Sequence, residues 1–280
     1  MSVSLIAHRC RTSDRTPGAA LGVEELAPLV GKRLGREPRD IGTPSDPRIG
    51  DWREDLTGSR GCLLEAGGQV DDALSGGNAP VLLAGECSIA ITTLSAALRN
   101  RPDAKVLWLD AHGDYNTPET SGSGYLGGMC LAAACGVWDA GLAEPIDPAR
   151  VILAGVRDLD ARERELLEES PATVIGASLE TLVHTQNALD RSPVFVHLDL
   201  DVMDPESFPH TQVPSPNGLA ADKLYDLLEA VAGECEVIGL EVTAFDAPED
   251  ELERQDAASV AIHVLDPLLE AVQRGAHVSN

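Results

Sequence analysis

The sequence predicts an α/β protein in three layers, a mainly parallel sheet with helices on both faces. Three observations carry this. Apolar runs of strand length alternate with helix-like stretches almost to the end of the chain, the pattern of βαβ units. The chain has 280 residues, 43% of them apolar, enough for the core of one large α/β domain or two small ones. The most acidic stretches of strand type end in carboxylates, and in parallel sheets the site lies beyond the carboxyl ends of the strands.

The elements follow in order. Residues 3–8 form an apolar run with no basic segment before it, so they read as a first strand and not as a signal peptide. Residues 35–60, rich in Pro, Asp, Gly and Arg, read as a long surface excursion with no core of its own. Strands follow at 79–85, 105–111, 150–156, 172–176, 193–200 and 236–243. Helical patterns lie between them at 88–100, 161–169, 179–189 and 221–231, with a long last helix over 251–273. No internal repeat or linker divides the chain, so residues 1–280 are expected to form one domain.

The net charge of -25 argues against nucleic acid and anionic membranes as partners. No apolar run approaches the roughly 20 residues of a membrane span. Cys10, Cys62, Cys87, Cys130, Cys135 and Cys235 are scattered without C-x-x-C spacing. They read as reduced, mostly core thiols of a cytoplasmic protein.

Two segments carry the chemistry: Val106-Leu107-Trp108-Leu109-Asp110-Ala111-His112-Gly113-Asp114 and Val194-Phe195-Val196-His197-Leu198-Asp199-Leu200-Asp201. Side chains at i and i+2 share a face of a strand, so Asp110 pairs with His112 and Asp199 with Asp201. Carboxylates crowded at the ends of apolar strands need a compensating charge. Carboxylate oxygen with imidazole nitrogen suits a divalent metal such as Mn²⁺, and the set is large enough for two ions. His197 falls on the same face, either as a support behind the ligands or as a core histidine.

These segments, with Gly85-Glu86-Cys87-Ser88, Asp199-Leu200-Asp201-Val202-Met203-Asp204-Pro205 and Gly239-Leu240-Glu241-Val242, resemble the signatures of the arginase/agmatinase (ureohydrolase) family over about residues 79 to 245. The resemblance implies an arginase-like fold and a hydrolase of linear amidines using two Mn²⁺ ions per chain. It implies that Asp110 and Asp199 bridge the metals and that Asp114 and the residue at 87 complete one of them. His112 and Asp201 would complete the other, and Glu241 would pair with the substrate guanidinium. Asp114 and Glu241 are thus the expected catalytic carboxylates. The substrate's amino-acid end would be held by Asn116, Ser123, Asp160 and Glu163, which favours an arginine-type amino acid over agmatine. Homo-oligomers are common in the family.

Two departures stand out. Cys87 replaces the usual first histidine, and Gly127 stands where arginases carry a histidine thought to shuttle protons. Both, together with the Thr-Pro-Glu-Thr and Gly-Tyr-Leu-Gly-Gly-Met pattern, are similar to the branch of the family that hydrolyses Nω-hydroxy-L-arginine in D-cycloserine biosynthesis. A hydroxyguanidine is less basic than a guanidine, so its carbon is more easily attacked while neutral. The favoured substrate is therefore Nω-hydroxy-L-arginine. Ordinary arginase, agmatinase or other guanidino-acid hydrolase activity, or a catalytically degenerate relative, are the alternatives.

Overall fold

The computed structural model describes residues 2–277. Its centre is one sheet of eight strands, all paired in parallel. In chain order they are β1 (Val3–His8), β2 (Arg39–Ile41), β3 (Ala79–Leu83), β4 (Lys105–Leu109), β5 (Val151–Val156), β6 (Thr173–Gly176), β7 (Val194–Asp199) and β8 (Val237–Thr243). The helices are α1 (Gly18–Leu34), α2 (Trp52–Ser75), α3 (Ala90–Asn100), α4 (Cys130–Ala134), α5 (Ala161–Glu169), α6 (Thr181–Leu189), α7 (Ala221–Glu234) and α8 (Glu251–His277). The predicted class, a parallel sheet with helices on both faces, is the one observed.

Two apolar cores lie on opposite faces. One packs α1, α6, α7 and α8 on Leu107, Leu109, Val196, Leu198, Leu240 and Val242. The other packs α2, α3, α4 and α5 on Val106, Trp108, Leu153 and Phe195. Both faces of the central strands are buried, so alternation is lost and these strands are apolar at nearly every position.

The strand order is β2-β1-β3-β8-β7-β4-β5-β6. β3 and β4 are consecutive in the chain but two strands apart, and β8 and β7 later fill the gap. The carboxyl ends of β3, β8, β7 and β4 are thereby set side by side at a place where the order reverses, the usual location of a site in such sheets.

The expectation for residues 35–60 is corrected. Arg39–Ile41 add an edge strand to β1, and α2 begins at Trp52, capped by Asp51 accepting from Arg53 N and Glu54 N. The buried stripe of α2 includes Asp55, Ser59, Ala66, Gly67 and Ala73, so its apolar periodicity is weak. Close packing replaces it: a Cβ on Gly67 would lie 2.7 Å from Thr92 Cβ. Arg11 neutralises the buried Asp55 at 2.8 Å. The cysteine expectation is corrected too. Cys10 and Cys62 form a disulfide joining the end of β1 to α2. Their pairing follows from tertiary proximity, with Cα atoms 6.1 Å apart, which spacing alone does not encode. The other four cysteines are free thiols. Among the described residues no helix is long and apolar enough to cross a membrane.

Candidate metal centre

Each central strand delivers its donors just beyond its last sheet hydrogen bonds. After β4, Asp110 Oδ1 accepts from His112 N at 2.7 Å. At the last residue of β7, Asp199 Oδ1 accepts from Asp201 N at 2.7 Å. The same side-chain-to-backbone turn is thus used twice. The i, i+2 partners do share a side, but the turn holds them there as much as the pleat does. Asp201 Oδ1 accepts from Ala111 N at 3.0 Å, which ties the two segments together. Asp114 has φ of 48° and Ala244 has φ of 63°. Such left-handed backbone at non-glycine residues is costly and concentrates at functional sites.

The donors converge in a small cavity of about 40 Å³ lined by Glu86, Cys87, Asp110, His112, Asp114, Tyr125, Asp199 and Asp201, among others. His112 Nδ1 lies 3.0 Å from Asp201 Oδ2 and 3.3 Å from Asp110 Oδ1. Cys87 Sγ donates to Asp199 Oδ2 at 2.9 Å and lies 3.0 Å from Thr243 Oγ1. Cys130 Sγ donates to Asp114 Oδ2 at 3.4 Å. All six predicted ligands are therefore brought together.

The electrostatics are those of a cluster suited to a cation. Burial, then the neighbouring Asp201, pushes Asp110 up to about 6. Burial and nearby carboxylates also raise Asp114 and Asp199 well above the ordinary range. The Cys87 thiol is raised by burial and by Asp199, Asp114 and Asp110. Burial works against a charged His112, but Asp201 and Asp110 outweigh it and hold its pKa up at about 12. The imidazolium in turn holds Asp201 low despite burial. His112 Nε2 is buried without a hydrogen-bond partner. Divalent cations would satisfy all of these groups at once, so the donor set fits a pair of them.

A second cavity, of about 310 Å³, shares His112, Asp114 and Tyr125 with the first. Asn116, Ser123, Asp160 and Glu163 line it. Asn116 Nδ2 donates to Asp160 Oδ2 at 3.3 Å, and Glu163 accepts from Tyr115 N and Asp160 N. Burial pushes Glu163 up to about 7. Glu241 lines neither cavity. It is fully buried on β8, its Oε1 2.7 Å from His197 Nδ1 and its Oε2 unpartnered.

Three residues of the site were given no role by the sequence. Arg15 is the only Lys or Arg on the wall of the larger cavity; it stacks over Tyr125 at 4.2 Å and its Nε is buried without a partner. Thr243 meets Cys87. Glu86 lines the smaller cavity, its Oε2 accepting from Thr12, Ser13 and Ser88 N. Its other oxygen occupies the space beside Gly127, where an added Cβ would lie 1.9 Å from Glu86 Oε1. His197, expected as a support or as a core histidine, is fully buried against Glu241.

Against known proteins, residues 15–269 match the model of the arginase family. The chain belongs to the arginase family. It is 34% identical over 269 residues to the N(omega)-hydroxy-L-arginine amidinohydrolase of Streptomyces lavendulae, covering 96% of this chain and 98% of that one. It is 32% identical over 216 residues to the arginase of Bacillus caldovelox, covering 71% of each. The crystal structure of Bacillus subtilis arginase superposes with a TM-score of 0.81 at 25% identity, over 96% of this chain and 98% of that one. This arginase-family chain is an amidinohydrolase, and the family's site is a two-metal one.

Proposed function

We propose that the chain is a dinuclear Mn²⁺ amidinohydrolase that cleaves Nω-hydroxy-L-arginine to hydroxyurea and ornithine. The observation that carries the substrate choice is the Gly127 wall. Glu86 fills the space beside it, so position 127 offers no side chain to protonate the leaving nitrogen. Nδ of ornithine departs from either substrate, but a less basic guanidino group is attacked more readily while neutral, which offsets part of the loss of that donor. The end-to-end likeness to an N(omega)-hydroxy-L-arginine amidinohydrolase supports the same reading.

Asp110 and Asp199 would bridge the two ions, with Cys87 and Asp114 on one and His112 and Asp201 on the other. When bound, the ions supply Lewis acidity and an acidified water near neutral pH. The residues of the chain do the rest. Asn116, Ser123 and Asp160 hold the amino-acid end in the larger cavity, Asp160 facing the ammonium, Glu163 bracing it and Arg15 giving the carboxylate a counter-charge. Glu241 lines neither cavity, so it makes no contact with the guanidino group. Asp114, beside the Cys130 thiol, takes the water's proton as the oxygen adds to the guanidino carbon and returns it to the departing Nδ of ornithine.

The test is turnover of Nω-hydroxy-L-arginine, L-arginine and agmatine by protein of measured metal content. The expected result is two ions per chain and highest kcat/KM on the hydroxylated amino acid. Preference for L-arginine would make the chain an ordinary arginase, and preference for agmatine would overturn the reading of the outer cavity.

A further inference from the structure

His197 has no role in the reading above, yet it lies within reach of the donors of the centre. It is fully buried on β7, in register with Trp108 on β4 and Glu241 on β8. The indole stacks on the imidazole at 3.6 Å and 2°, and Trp108 Nε1 donates to Asp110 Oδ2 at 3.1 Å. Ring and carboxylate are thus fixed by one side chain. Glu241 Oε1 takes Nδ1 at 2.7 Å. Accepting the proton on that nitrogen leaves the lone pair on Nε2, and Nε2 is buried with no hydrogen-bond partner. An orphaned buried nitrogen in a well-packed core calls for an explanation.

A ring nitrogen of His197, the thiol of Cys87 and a carboxylate oxygen of Asp110 all lie within 4.8 Å of one another. With Nδ1 committed to Glu241, Nε2 is the free donor. Donor atoms about 2.0–2.6 Å from a divalent cation lie at most about 5 Å apart, so the three can share one ion. A carboxylate behind a histidine is also the arrangement that orients imidazole ligands in metal sites. We propose that His197 is a direct ligand of the first metal, held by Glu241, and that it supplies the nitrogen Cys87 cannot. A hard ion such as Mn²⁺ prefers nitrogen and oxygen to sulfur, so His197 offsets the poor match of the thiolate. The first site would then be Cys87, His197, Asp110, Asp114 and Asp199. Glu241 becomes a positioning residue through Oε1, whatever its other oxygen does. This inference rests on the two-metal reading, and the experiment separates them.

Chelator-stripped protein is titrated with Mn²⁺ by calorimetry, and the loaded protein is read by electron spin-echo spectroscopy for ¹⁴N coupled to the metal. Wild type should bind two ions and show two imidazole nitrogens, from His112 and His197. His197→Asn should weaken one site by at least tenfold, leave the other unchanged and lose one nitrogen signal. Glu241→Gln should weaken that same site by ten- to a hundredfold with both nitrogens kept. Two ions with a single ¹⁴N signal in the wild type would overturn the inference and leave the two-metal reading intact. This outcome is read on the unaltered protein, so it stands even where a variant does not fold. Unchanged affinity in a folded His197→Asn protein would overturn it equally. No metal bound by the wild type would sink both.

Discussion

Gly127→His tests whether the absence of a proton shuttle is a simple deletion or is built into the wall of the site. Restoring the histidine to a deleted site should raise turnover of L-arginine, since a positioned acid is worth about 10²–10⁴-fold. The structure predicts otherwise. A Cβ at 127 would lie 1.9 Å from Glu86 Oε1 and 2.8 Å from Tyr125 Cε1. The end of a glutamate can ordinarily swing aside, but Glu86 Oε2 is held by Thr12, Ser13 and Ser88 N. Hydrogen bonds to a charged group contribute about 1.5–3 kcal/mol each. Losing two of the three costs about 3–6 kcal/mol, which lowers the melting temperature on the order of 10 °C. Gly127→His should therefore be less stable and gain no arginase activity. Combining it with Glu86→Ala should recover part of the stability, and the double-mutant cycle should show coupling well above the ~0.5 kcal/mol of independent sites. Thermal melts and urea-production assays on all three variants give the answer. A Gly127→His protein as stable as wild type, with raised turnover of L-arginine, would refute the steric argument.

Asp199→Asn should abolish turnover and metal loading, yet raise the melting temperature of metal-free protein, because it removes one charge from a cluster whose burial already disfavours ionisation; melts with chelator and metal analysis check both halves. Cys87→His should raise kcat/KM on L-arginine by a larger factor than on Nω-hydroxy-L-arginine, and equal factors would mean that the thiolate does not set specificity. Asp160→Asn keeps a capping side chain at the start of α5 but loses the charge, so kcat/KM should fall about ten- to a hundredfold with stability nearly unchanged; a loss of stability with no kinetic effect would make Asp160 a cap alone. In metal-free protein Glu163 sits at about 7 against 4.5 for the free side chain, so the folded chain holds that proton more tightly. Its contribution is complete below about pH 4.5 and is lost as pH rises through 7, on the order of 3 kcal/mol. Glu163→Gln should flatten the pH dependence of stability between those values.

The central strands and the clustering of the candidate donors were legible in the sequence because their signals are local. A doubly covered strand is apolar at every position, and a carboxylate two residues from another donor marks its end. What was hidden depends on tertiary closeness. α2 buries glycine, alanine and serine against its neighbours, so it shows no strong apolar stripe. Arg15 and Glu86 reach the site from loops after β1 and β3. Nothing near Gly127 in the chain announces that a residue 41 positions earlier occupies its space. His197 was placed on the correct face, but its partner Glu241 lies 44 residues away, and only the register of β7 against β8 joins them.

The strand order also sets a timetable for the centre. The donors after β3 and β4 are made in the first half of the chain, but β7 and β8 must enter between those strands before the donors have floor or neighbours. Pairings of such sequence separation form slowly. A nascent chain that has not yet released β8 can offer a metal only loose, separate ligands. Tight loading therefore reports that the last strands have reached the middle of the sheet, and a chain misassembled at that step would stay metal-free and inert.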